Sequence, residues 1–147
     1  MKVALDSSVL IAAAAASEAF HAECAALLKN PKLRGQRAVW SHALLETFSN
    51  VTGGRLPIRI TPAAASRQIS EALLPLLMPV DLSTPELMAA LGEAQSAGVR
   101  GGAIYDYLHL VAARKAGAKV LYTLDVGDFR ALARKGDPQI ISPAELP

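Results

Sequence analysis

The chain of 147 residues carries a single cysteine, Cys24, so an internal disulfide is impossible and a zinc site built on thiolates is excluded. So few thiols fit a cytosolic protein. Aromatic residues make up only 5% of the sequence and show no ordering that would mark a base-stacking series. No run of about 18 apolar residues occurs, which excludes a membrane-spanning helix. A secretory signal is not expected either. The apolar stretch after Met1-Lys2, leading to the alanine run Ala12–Ala16, is broken by Asp6, Ser7 and Ser8. There is no glycine-rich phosphate loop, and His21, His42 and His109 form no pair at metal-ligand spacing. These histidines, like Cys24, read as ordinary packing or surface residues.

The chain does contain apolar residues in abundance, 52% of the total, enough to exclude disorder and to build a core without staples. Its length matches one domain, and no linker, repeat or low-complexity tail divides it; residues 1–147 are expected to form a single unit. Net charge is +2, weak evidence for nucleic acid in itself. The surface is more basic than that total if several carboxylates are committed to a metal ion.

Periodicity predicts strands at Lys2–Leu5, Arg37–Trp40, Met78–Leu82, Lys119–Thr123 and Gln139–Ile141, with helices between them. Ser7 or Ser8 can cap a helix starting near Val9, and Ser41 can cap the next-but-one. A helix over about Ser17–Leu28 ends before Asn30-Pro31, and Gly53-Gly54 ends the helix that holds Glu46 in a left-handed turn. Thr61-Pro62 opens a helix running to about Leu74-Pro75. Two more are predicted from Thr84 to about Gly98 and over Ala103–Ala116, and a short one follows from Val126 to about Arg134. Alternating strands and helices predict an α/β fold with a mainly parallel sheet of about four to five strands covered on both faces.

Four acidic residues stand out on this frame: Asp6, Glu46, Asp106 and Asp125. Asp6 and Asp125 each follow a buried strand, where open α/β sheets bind ligands. Asp6 is not needed as a helix cap, because Ser7 and Ser8 are available. Asp125 can be a cap, with Asp128 a first-turn partner of the helix dipole. Asp106 lies in the first turn of an apolar helix, where it either serves the dipole or points inward. Glu46 falls off the stripe Leu44, Phe48 and Val51 and reads by pattern as exposed. A carboxylate at the edge of a core is costly unless paired. If the four meet in space, their natural partner is a hard divalent cation, and the chemistry is phosphoryl transfer on nucleic acid. Arg55 and Arg100, in loops near these residues, are the candidate phosphate contacts.

Taken in order, the motifs Leu5-Asp6-Ser7-Ser8, Ala43-Leu44-Leu45-Glu46-Thr47, Gly101-Gly102-Ala103-Ile104-Tyr105-Asp106 and Thr123-Leu124-Asp125-Val126-Gly127-Asp128-Phe129 resemble those of PIN-domain ribonucleases. The likeness is to the VapC-type toxins of toxin–antitoxin pairs, and it spans essentially the whole chain. It implies a PIN-like fold and an acidic set of Asp6, Glu46, Asp106 and Asp125, with Asp128 as an auxiliary or alternative metal ligand. It implies Ser7 and Thr123 as hydroxyls orienting the site and meeting substrate, and Mg²⁺ as cofactor, with Mn²⁺ able to substitute. Asp6 and Asp106 are then the expected direct ligands. The implied reaction is hydrolysis of an RNA phosphodiester, leaving a 5′-phosphate and a 3′-hydroxyl. The implied partners are RNA, a cognate antitoxin and a second copy of the chain, with no membrane. An apolar stretch, Ile69–Leu77, is a candidate partner surface or, more simply, core.

Two rivals remain on sequence. A Mg²⁺-dependent α/β phosphatase wants a second Asp two residues after the first, where this chain has Ser8, and a receiver domain wants an acidic pair and a late lysine that are not evident. A module that binds RNA or a partner without cutting would keep the same carboxylates.

Overall fold

The computed structural model describes residues 1–145. Five parallel strands form one sheet in the order β3-β2-β1-β4-β5: β1 (Val3–Leu5), β2 (Arg37–Trp40), β3 (Met78–Val80), β4 (Val120–Tyr122) and β5 (Gln139–Ile141). Strands β1, β2 and β4 are buried at every position, the pattern of a sheet covered on both faces. Alternation sorts their side chains. Val3, Leu5, Val39, Val120 and Tyr122 meet one apolar cluster with Val9, Leu10, Cys24 and Leu27. Ala4 and Leu121 meet another with Leu110 and Phe129 on the opposite face.

The helices supplying those clusters are α1 (Ser7–Ala14), α2 (His21–Lys29), α3 (His42–Gly53) and α4 (Pro62–Arg67) from the first half of the chain. From the second half come α5 (Thr84–Ala97), α6 (Ala103–Ala116) and α7 (Val126–Leu132). After β1 the chain builds outward to β2 and β3, then crosses back to lay β4 against the other side of β1. The order in which strands are added therefore reverses between β1 and β4, and the crevice at their carboxyl ends is where such sheets bind ligands.

Several local expectations need correction. Asp6 itself caps α1, its Oδ1 accepting from the Val9 amide at 3.4 Å, and Ser7 and Ser8 lie inside the helix. Ser41 has helical dihedrals, so its hydroxyl caps nothing. Helix α2 begins at His21, because the chain from Ala15 to Phe20 closes a turn through the Glu18 amide on Ala15 and the His21 amide on Glu18. Gly54 is not left-handed (φ −77°); a Cβ there would stand 2.6 Å from the Asn50 carbonyl oxygen, so glycine is required by close approach. The helix expected from Thr61 to Pro75 begins as α4, widens into a π-helical stretch over Gln68–Leu73, and tightens into a 3₁₀ turn at Leu74–Leu76. Ile69, Leu73, Leu76 and Leu77 in that stretch pack on the core. Cys24 is fully buried, and burial pushes its thiol up to about 12, so it packs and does not react. Among the described residues no helix is long and apolar enough to cross a membrane.

One polar tie fastens the second half of the fold. Arg114 near the end of α6 donates two parallel bonds to Asp137, just before β5, and its guanidinium lies 5.4 Å from the Tyr107 ring centre. Burial alone would raise the Asp137 carboxyl, but the Arg114 bonds and charge, with the Arg134 amide and charge, together hold it below its usual range. A depressed carboxylate contributes stability above its unfolded pKa of about 3.9 and loses it as pH falls through the folded value. Asp137→Asn is expected to destabilise the fold by about 1–3 kcal/mol at pH 7. Urea denaturation should show that difference shrinking below about pH 4; a constant difference from pH 7 to pH 3 would contradict the pairing.

Candidate functional site

Leu5 pairs with Tyr122, so the residues after them, Asp6 and Thr123, emerge side by side at the switch point. The Asp6 amide donates to the Tyr122 carbonyl at 3.2 Å, which extends the sheet by one link. Asp6 is 2% exposed, and three donors hold it. Ser8 Oγ donates to Oδ1 at 2.6 Å, Thr123 Oγ1 donates to Oδ2 at 2.9 Å, and the Val9 amide completes the set. The two hydroxyls also lock the end of β4. Ser8 Oγ accepts from the Leu124 amide at 3.0 Å, and Thr123 Oγ1 accepts from the Asp125 amide at 2.9 Å. Thr123 is fully buried and orients Asp6; the expectation that it also meets substrate is corrected by that burial.

Glu46 reaches the same crevice from α3. Its Oε1 accepts from His109 Nε2 at 2.7 Å, and its Oε2 from Ser7 Oγ at 3.3 Å. The exposed glutamate read from helical pattern is therefore an engaged, partly covered one, and Leu45 beside it is the residue that faces out, 65% exposed. His109, also read as unremarkable, is buried on α6 one turn after Asp106 and points the same way. That i, i+3 spacing was the available signal for it. Glu46 is an acceptor only, so the bonded Nε2 carries the proton, while Nδ1 has no partner among the described residues.

Asp106, half-buried, opens α6 toward the crevice. Asp125 occupies the cap position of α7, yet its side chain caps nothing. It remains available to the cluster, and Asp128 lies one turn on, exposed. Arg55 shares an open cleft of about 270 Å³ with Ser8, Asn50, Leu124 and Asp125. Arg100 is exposed in the turn before α6, with no bond tying it to the carboxylates.

The electrostatics set the carboxylates apart. Burial, helped by the charge of Asp125, raises Asp6 to about 6 against the opposing effects of His109, Ser8 and Thr123. Asp106 is raised by burial and by Asp125, Asp128 and Glu46 together, with His109 opposing. Asp125 is raised by burial and by Asp128. Glu46 alone is lowered: burial pushes it up, but the bond and charge of His109, with His42 and Ser7, prevail. Mutual repulsion within this set is the condition a cation relieves.

The donor set is all oxygen, which fits a hard cation such as Mg²⁺ or Mn²⁺. Among the described residues, however, no three of these side chains already stand at the spacing an ion requires. Asp6 and Glu46 bond instead to Ser8, Thr123, Ser7 and His109. Each carboxylate keeps further lone pairs for a ligand.

The sequence matches the PIN domain family over residues 3–135, and the chain belongs to that family. Comparison with curated proteins finds no match. Among solved structures the chain is similar to VapC20 of Mycobacterium tuberculosis, described as a sarcin-ricin loop cleaving toxin. The TM-score is 0.69 at 18% identity, covering 93% of this chain and all of that one. It is also similar to FitAcB from Neisseria gonorrhoeae, with a TM-score of 0.66 at 17% identity over 98% of this chain and 99% of the other. FitAB bound to a DNA fragment matches at 0.66 and 17%, over 99% of this chain and 97% of that one. At such identities the likeness is one of fold, and the five-stranded parallel sheet is the PIN-like architecture.

A carboxylate raised by burial binds its proton more tightly in the folded state, so it subtracts stability as pH rises from its unfolded value of about 3.9 to about 6. Removing the charge should help the metal-free protein. With chelator at pH 7, Asp6→Asn is expected to raise stability by about 1–2 kcal/mol, less than the full shift because one hydroxyl donor loses its acceptor. Thermal melts should show the advantage vanishing near pH 4; a variant less stable than the parent at both pH values would contradict the buried charge.

Proposed function

We propose that the chain is a metal-dependent endoribonuclease acting as the toxin of a type II toxin–antitoxin pair. The observation that carries this reading is the convergence of Asp6, Glu46, Asp106 and Asp125, from four separate elements, on the crevice between β1 and β4. Asp106 feels the charges of Glu46, Asp125 and Asp128 at once, which sequence separation alone would not produce. Family membership supports nuclease chemistry, and the toxin described for the VapC20 structure supports RNA as substrate.

In this reading Asp6 and Asp106 would hold Mg²⁺, and Glu46 and the fourth carboxylate would complete the acidic set around it. When bound, the metal supplies charge neutralisation at the phosphate and acidifies the attacking water. The chain's own residues do the positioning. Ser8 and Thr123 fix the Asp6 carboxylate, and His109 and Ser7 fix that of Glu46. Arg55, in the cleft beside Asp125, contacts a neighbouring phosphate. For the fourth donor, Asp125 is favoured over Asp128, because its charge reaches both Asp6 and Asp106 whereas that of Asp128 acts on Asp106 and Asp125. The FitAB and FitAcB complexes support an antitoxin as partner. Exposed Leu45, Met88 and Leu91 on α3 and α5 offer apolar surface to it or to a second copy.

Incubation with a mixed RNA pool should give cleavage with Mg²⁺ or Mn²⁺, none with chelator, and products bearing 5′-phosphates. Asp6→Asn and Asp106→Asn should each lower the rate by roughly a hundredfold or more. Binding of RNA without cleavage would favour the non-enzymatic module, and 2′,3′-cyclic phosphate ends would exclude water as nucleophile. In a Mn²⁺ titration, Asp125→Asn should weaken binding about tenfold or more and Asp128→Asn clearly less; the reverse order would make Asp128 the ligand.

A further inference from the structure

The sequence shows few aromatics, but the fold lines up three rings beside the carboxylates. Trp40 ends β2, His42 opens α3 and Tyr105 lies in the first turn of α6, immediately before Asp106. The Trp40 and His42 rings stack with centroids 4.6 Å apart, and the His42 and Tyr105 rings stack at 5.6 Å with planes only 9° apart. The inner end of this column is tied to the site. Trp40 meets His109 edge-on at 5.1 Å, and His109 holds Glu46. At the outer end Tyr105 is 50% exposed, belongs to no apolar cluster of the described residues, and uses its hydroxyl in no hydrogen bond among them.

Packing does not account for that outer ring. A tyrosine in the first turn of α6 could turn fully to solvent without cost to the core. Instead its plane is fixed nearly parallel to a ring that is itself held on the buried indole. An aromatic face that is flat, oriented and open, next to a carboxylate of the proposed cutting site, has the properties that stack an unpaired nucleobase. We infer that Tyr105, backed by His42 and Trp40, is a stacking platform for an unpaired base adjacent to the scissile phosphate of an RNA strand. The inference rests on the ribonuclease reading and deepens it: the substrate is single-stranded at the cut, and the platform supplies binding with little preference among bases, because every base has a π-face.

The test uses the full chain carrying Asp6→Asn and a short unstructured RNA spanning a cut site mapped with the active protein. Fluorescence anisotropy is read with the intact RNA and with a series in which one nucleotide at a time is abasic. One abasic position beside the cut should weaken binding roughly 5- to 100-fold, the range for losing one stacked base. Tyr105→Ala should cost about the same with intact RNA, and in that variant the abasic position should cost nothing more. Tyr105→Phe should retain affinity, since the ring and not the hydroxyl binds. An abasic penalty that persists in Tyr105→Ala, or a Tyr105→Phe loss equal to that of alanine, would overturn the platform. So would light scattering showing that Tyr105→Ala dissociates a dimer, which would assign the ring to a second copy. These failures leave metal-dependent cleavage by the active protein standing; absence of any RNA cleavage or binding removes both readings.

Discussion

The structure turns on a carboxylate buried where the strand order of a parallel sheet reverses. Asp6 sits at the seam between β1 and β4, almost fully covered, and it is held by Ser8, Thr123 and the Val9 amide. The Thr123 bond joins the start of α1 to the end of β4, 117 residues away in sequence. The cap of the first helix, the closure of the central strand pair and the innermost acid of the site are thus one set of contacts. A charge in such a place is unfavourable unless compensated, and the hydroxyls compensate only in part, which is why its proton affinity stays high.

The other acids are arranged around that constraint, each with a different degree of compensation. Glu46 has a hydrogen-bond partner in His109 and stays below its ordinary range, while Asp106 and Asp125 accept no side-chain hydrogen bond among the described residues and are pushed above it by burial and neighbouring carboxylates. Groups whose environments drive their proton affinities apart are typical of sites with divided roles. A cation entering this crevice would meet one acid that is already ionised and fixed, and others whose ionisation it would itself favour. Stability is thereby given up locally at the crevice, and contacts elsewhere in the fold, such as the Arg114–Asp137 tie, oppose that loss.

How much of this was legible in the sequence depends on the range of the interactions involved. The strand Arg37–Trp40 and the helix Ala103–Ala116 have the predicted bounds, because local pattern and flanking glycines define them. The strand-end position of Asp6 was equally readable, whereas β4 ends at Tyr122 and Asp125 lies three residues beyond it, at the cap position of α7. Caps were read poorly, since Asp6, Ser7 and Ser8 are all competent and only the tertiary pull of Thr123 selects among them. Glu46 was legible only through family likeness. Its helix has Ala43, Thr47 and Val51 as the buried positions, so of the apolar stripe Leu44, Phe48 and Val51 only Val51 is fully buried, and the inner face is turned toward Ala43 and Thr47. The role of His109 depends on Glu46, 63 positions away, and no periodicity reports such a contact.

The aromatic column shows the same limit from the other side. Composition counts rings but not their order in space, and Trp40, His42 and Tyr105 become neighbours only when β2 and α6 are brought together against one face of the sheet. A scarce residue type can therefore be concentrated where it matters. The packing of α6 on β1 and β2 sets three things at once: the reach of Asp106 into the crevice, the bond from His109 to Glu46, and the plane of the Tyr105 ring. Because one helix carries all three, a shift of α6 would disturb Asp106, the His109–Glu46 bond and the Tyr105 ring together. The helix is held in place by a close-packed cluster in which Leu110 and Ala113 of α6 meet Ala4 of β1 and Leu121 of β4, so the three groups it carries keep one common frame.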